Sequence, residues 1–192
     1  MSSDLSMSSN SSTPSPPSTS EKLSFMTIVM HWLTGLSFVG VFIVGMILAE
    51  MERGPDKSFL MGYHKSIGAL ILIVAVLRVA WRLKEGKLPS LGTSPEWQEK
   101  IAHAVHGILM LATLIMPISG VVMSAAGGRA VDIFGWEIIS KGDKIEWLQE
   151  IASTMHHSAV NIIIAVFVLH VVGAIKHHVI DKDKTITRML GK

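Results

Sequence analysis

Residues 151–180 read IASTMHHSAVNIIIAVFVLHVVGAIKHHVI, and this stretch decides the fold. It is apolar for longer than the roughly 20 helical residues needed to cross a hydrocarbon core. It nevertheless holds five of the nine histidines: His156, His157, His170, His177 and His178. A helix turns about 100° and rises about 1.5 Å per residue, so positions 156 and 170 lie about 40° apart around the axis and about 21 Å apart along it. Position 177 continues the stripe about 10 Å further on. One helix face thus offers imidazoles at two or three depths of a membrane.

The rest of the composition fits that reading. Of the 192 residues 49% are hydrophobic and the mean hydropathy is +0.46, too apolar for a soluble domain of this size. A formal net charge of +2 gives no footprint for nucleic acid. The chain has no cysteine. That excludes disulfides, thiolate-held iron–sulfur clusters, covalent CxxCH haem attachment and catalytic thiols. Histidine is abundant where charge is scarce.

Three further spans precede the first one quoted, at about 25–49, 60–81 and 101–126, so the expected fold is an all-α, up-down four-helix bundle in a membrane. Residues 1–21, rich in Ser, Thr and Pro, are expected to be a disordered tail, and 22–192 the membrane domain. Gly35, Gly40, Gly45 and Gly68 would allow close helix approach, and Pro117 should kink the third helix. Lys22, Arg78, Arg82, Lys84, Lys87, Lys100, Lys176, Lys182, Lys184, Arg188 and Lys192 fall on the side of the termini. Only Arg53, Lys57, Lys65, Arg129, Lys141 and Lys144 fall opposite. Eleven against six puts both termini in the cytoplasm. The stretch WEIISKGDKIEWL, on the outer side, is expected to form a short interfacial helix anchored by Trp136 and Trp147.

Depth then sorts the histidines. His31 and His170 share an inner level, His64 and His156 an outer one. Two inter-helix pairs at two depths is what two stacked b-type haems require, each iron taking one imidazole from each of two helices. A lone interfacial histidine is commonly just a polar residue at the headgroups, but His170, between VFVL and VVGA, is hard to explain that way. Zinc would need ligands converging on one tetrahedral point, usually with carboxylate or thiolate help. The two levels are too far apart, and the spans as drawn hold no acidic residue.

His31-Trp32, His64, the AHAVH run with His103 and His106, Pro117-x-x-Gly120-x-x-Met123, His156, His170 and the closing HHVIDKDKTITRML occur in an order and spacing that resemble the bacterial cytochrome b561 family. The resemblance covers nearly everything after the tail. It implies a bacterial inner-membrane di-haem cytochrome with two haem b groups on His31, His64, His156 and His170, carrying electrons between a reductant and quinone. Some members oxidise superoxide at the outer face. Where the family usually has one histidine at the head of helix four, this chain has His156-His157. His156 shares the face of His170 and is the one chosen.

Other residues are secondary candidates. His177 competes with His170 as inner ligand, against an interfacial basic cluster with Lys176 and His178. His103 and His106 are candidates to line a quinone site or bond a haem propionate, with plain interfacial residues as the alternative. Arg78 and Arg82 share a face near the inner level and suit propionates by their fork geometry, or simply form the positive flank of the span. Lys57, Lys65, Lys141 and Lys144 would steer an anion such as superoxide, but Glu50, Glu52, Asp56, Glu137, Asp143 and Glu146 surround them. Three classes of function are consistent with the pattern. The first is a self-contained oxidoreductase with a small donor, such as a superoxide:ubiquinone oxidoreductase. The second is a haem-bearing anchor relaying electrons for a separate dehydrogenase subunit. The third is a haem-free transporter or assembly protein.

Overall fold

A computed structural model describes residues 22–86, 88 and 94–192. The expected disordered tail and the Lys87 counted in the charge balance lie outside the described residues. Four long helices run up and down: α1 Phe25–Glu50, α2 Pro55–Glu85, α3 Glu96–Ala126 and α4 Glu146–Val179. All four are long and apolar enough to cross a membrane. A short helix, α5 Thr185–Met189, follows at the end where the chain also enters α1. That end is called the termini end, and the opposite one the hairpin end.

The helices outrun their apolar cores. They contain 26, 31, 31 and 34 residues, or roughly 39–51 Å against a hydrocarbon thickness of about 30 Å. Hydropathy marks only the part of a helix that lipid surrounds, whereas the helix itself continues until a cap stops it. Pro55 at the first turn and Asp56 beside it start α2 five residues before its apolar run, and Arg82, Lys84 and a Gly86 at φ 78° end it. Ser24 caps α1, its hydroxyl accepting from the Thr27 N–H at 3.2 Å.

Neighbours in sequence are neighbours in space: α1 packs on α2, α2 on α3 and α3 on α4. Their shared core is a mid-depth layer of Phe38, Ile71, Ala112, Met116 and Ile163. Its register matters. Phe38 lies seven residues after His31, Ile71 midway between His64 and Arg78, and Ile163 midway between His156 and His170. Seven residues nearly repeat a helix face, so an apolar plug fills the stripe between two histidine levels. The outward faces, among them Leu36, Ile73, Val76, Ile162, Val168 and Val172, are apolar and exposed, as lipid-facing residues are.

Two local expectations are corrected. A small hairpin is added to the four-helix fold: Val131–Ile133 (β1) pairs antiparallel with Trp136–Ile139 (β2). Trp136 is thus on a strand, and Trp147 belongs to the first turn of α4, so the predicted interfacial helix over WEIISKGDKIEWL does not form. β-Branched residues flank a Phe134-Gly135 turn whose positive φ values of 51° and 89° suit a hairpin. Ser66 Oγ pins it to α2, accepting from the Phe134 N–H at 3.0 Å, and Lys65 Nζ donates to the Ala130 carbonyl at 2.9 Å. α3 continues as one helix through a buried Pro117. Of the four glycines expected to admit a close neighbour, a Cβ at Gly35, Gly40 or Gly68 would meet nothing within 4 Å. Only Gly45 is closely approached, and its neighbour is the ring of His64.

Candidate functional site

The up-down topology brings the histidines together at both ends of α4. At the hairpin end His64 of α2 faces His156 of α4, with ring centres 6.3 Å apart. At the termini end His31 of α1 faces His170 of α4, with ring centres 6.2 Å apart. A metal held end-on between two imidazole nitrogens, each bond about 2.0 Å, sets the ring centres about 6 Å apart. Both pairs have that separation. All four rings are half-buried, and an imidazole donor is neutral when it ligates. The donor set and spacing therefore fit a haem iron at each level.

The hairpin-end pair has a built surround. His156 Nδ1 lies 3.0 Å from the Met116 carbonyl and 3.0 Å from Ser119 Oγ. Ser119 donates its own proton to the same carbonyl at 2.9 Å. The ring therefore donates from Nδ1 and leaves Nε2 free as a ligand nitrogen. Gly120 makes this approach possible, because a Cβ there would stand 3.3 Å from His156 Cε1. His64 Nδ1 is buried, and a Cβ on Gly45 would stand 3.0 Å from its Cε1. Each imidazole of this pair thus lies over a glycine of a neighbouring helix.

The termini-end pair has different company. Arg78 Nη2 is 3.3 Å from His31 Nδ1, and the His106 ring meets His170 edge-on, centres 5.3 Å apart. Three imidazoles and a guanidinium are therefore gathered here. The two pairs singled out beside them in the sequence do not stay together. Arg82 turns away to donate to the Gly86 carbonyl. His103 is exposed, its Nδ1 2.7 Å from the Glu99 carbonyl of its own helix. Trp32 Nε1 donates to the Met189 carbonyl at 2.7 Å, docking α5 on α1.

His157 is exposed, its Nδ1 2.7 Å from the Ser153 carbonyl, and it is His156 that meets His64. His177 is engaged with the chain that follows α4, its Nδ1 2.7 Å from Asp183 Oδ2 and 3.2 Å from Asp181. Lys176 adds an ion pair to Asp181 at 2.7 Å. Burial works to raise the Asp183 carboxyl, but hydrogen bonds from Thr185 and His177 outweigh it and hold the group below the usual carboxylate range. These contacts fasten the segment leading to α5. At the hairpin end, Lys57 Nζ donates to the Met51 carbonyl at 2.8 Å, and Lys144 pairs with Glu146 at 3.1 Å. With Lys65 on Ala130, three of the four lysines considered for steering have partners.

Known proteins resemble this chain along most of its length. The family model described as prokaryotic cytochrome b561 matches residues 22–192. The chain is 30% identical over 189 residues to cytochrome b561 homolog 2 of Escherichia coli, covering 91% of this chain and 94% of that one. It is 28% identical over 174 residues to cytochrome b562 of Cereibacter sphaeroides, covering 86% and 92%. It is 25% identical over 176 residues to a probable superoxide oxidase of Yersinia pestis, covering 90% and 97%.

Proposed function

Because this chain belongs to the prokaryotic cytochrome b561 family, membrane electron-transfer proteins carrying haem b, we propose that it holds two haems and moves electrons across a bacterial inner membrane. His64 and His156 would hold one group, His31 and His170 the other. The donor we infer is a small reductant, superoxide above all, and the acceptor is the quinone pool. The observation that carries this reading is the pair of imidazole pairs, 6.3 and 6.2 Å between ring centres, at two depths of one helix.

Haem b bound at each level supplies a one-electron relay between the two faces. The chain's own residues do the rest. Two imidazoles at each level would hold the haem there, a donor set that favours electron transfer over oxygen activation. Met116 and Ser119 fix the tautomer and orientation of His156. Phe38, Ile71 and Ile163 keep water out of the space between the levels. His106 and Arg78 offer N–H donors at the termini end, where a quinone carbonyl or a haem propionate would find them. The name of the Yersinia relative supports superoxide as donor.

A reduced-minus-oxidised spectrum with a haem count tests the reading. Two b-type haems per chain are expected, and a haem-free protein or one haem per chain would refute it. Anaerobic pulses of superoxide with quinone present should reduce the haems without an added protein. If reduction requires a separate dehydrogenase, the relay anchor replaces the self-contained oxidoreductase.

A further inference from the structure

The two candidate haem levels are electrostatically unlike, and the difference sits in the second partner of one histidine at each. His156 Nδ1 faces an acceptor, the Met116 carbonyl at 3.0 Å. Donating to a carbonyl makes an imidazole a more basic ligand, which favours the oxidised form of an iron bound to its other nitrogen. His31 Nδ1 faces a guanidinium, Arg78 Nη2 at 3.3 Å. Arginine keeps its charge in proteins and has no acceptor. It can donate to His31 Nδ1 only while that nitrogen carries no proton. Once Nε2 ligates, Nδ1 holds the proton and the guanidinium must turn to another acceptor. What remains beside the ring is its fixed positive charge, with no carbonyl partner such as His156 has.

That charge is not neutralised nearby. Among the described residues no carboxylate forms an ion pair with Arg78. Glu85, two turns on along α2, accepts from the hydroxyls of Ser24 and Thr27 instead. The Arg78 side chain is half-buried, so its charge is screened less than that of an exposed residue.

Resting on the two-haem reading, we propose that Arg78 raises the reduction potential of the termini-end haem above that of the hairpin-end haem, so that electrons run downhill from the hairpin end to the termini end. Arg78 acts here as a tuning residue, by its charge beside the His31 ring. A guanidinium that swings from His31 to a haem propionate on loading has the same sign of effect, since it then cancels a negative charge beside the same iron.

The test is a spectroelectrochemical titration of the full-length protein in lipid discs, with haem content measured in parallel. Wild type should titrate in two steps. Arg78→Gln should lower the upper midpoint and leave the lower one in place, shifting the partition of an electron between the levels by roughly tenfold or more. Arg78→Lys, which keeps the charge, should stay near wild type. His64→Ala, with Arg78 intact, should retain one haem that titrates at the upper midpoint, so the proposal stays open to refutation even where the arginine variants fail to accumulate. An unmoved upper midpoint in Arg78→Gln, or a retained haem in His64→Ala at the lower midpoint, overturns the proposal while leaving two haems in wild type. Wild-type protein lacking two b-type haems overturns the underlying reading instead.

Discussion

Gly45 gives the sharpest test of whether the hairpin-end histidines are a built site or chance neighbours. A Cβ placed on Gly45 stands 3.0 Å from His64 Cε1. Carbon atoms rest about 3.5–4.0 Å apart, so in Gly45→Ala the ring must retreat by about 0.5–1 Å. A functional constellation tolerates about 0.5 Å, and disturbing the support of a ligand typically costs 10- to 100-fold in affinity. The fold should survive, because alanine is better than glycine inside a helix by about 1 kcal/mol. Gly45→Ala is therefore expected to accumulate normally and lose most of one haem on dialysis against apomyoglobin, while Gly40→Ala, with nothing within 4 Å of its Cβ, keeps both. Equal haem content and equal midpoints in Gly45→Ala and Gly40→Ala would show that His64 is not held as a ligand by α1.

Other substitutions separate the site from its surroundings. His31→Ala and His170→Ala should each lose the same single haem, whereas His177→Ala, whose imidazole belongs to the Asp183 clasp, should retain both in a pyridine haemochrome assay. The depressed Asp183 carboxyl contributes stability that is fully present above about pH 4, its ordinary range, and is lost as pH falls through its lower folded value. Acidification, or Asp183→Asn at neutral pH, should expose Lys182 and Lys184 to trypsin before the spans loosen; simultaneous cleavage everywhere would refute a local clasp. Glu85→Gln weakens two hydrogen bonds between α1 and α2, and should cost roughly 1 kcal/mol, read as a lower thermal midpoint with haem content unchanged.

What was legible in the sequence was whatever depends on helical periodicity. The four spans, their up-down order and the meeting of His31 with His170 and of His64 with His156 all follow from position along helices of known pitch. What was not legible depends on side-chain direction at short range. Arg78 and Arg82 are four residues apart on one helix face, so no pattern distinguishes them. One nevertheless bonds toward His31 and the other toward the Gly86 carbonyl. His103 and His106 divide in the same way. The hairpin was missed for a different reason: its strands are three and four residues long, too short for alternation to stand out. A Phe-Gly turn between β-branched residues was the available signal. Pro117-x-x-Gly120 was legible only as a motif, and the structure gives it a purpose, since a bare Gly120 lets His156 reach the Met116 carbonyl.

The unequal surroundings of the two levels follow from the same topology that creates them. His31, His64 and His106 each lie six to ten residues after the start of their helices. Because successive helices are antiparallel, the starts of α1 and α3 share the termini end and the start of α2 lies at the hairpin end. Of these three histidines two therefore collect at one end and one at the other, and α4 completes both sets. The termini end also receives the last turns of α2, where basic residues complement the helix dipole. Arg78 is thus carried to the level that already has the extra imidazole. A membrane's preference for positive charge on one flank and an up-down helix order are together enough to make the two levels differ in charge, and a difference in charge is what gives an electron a direction.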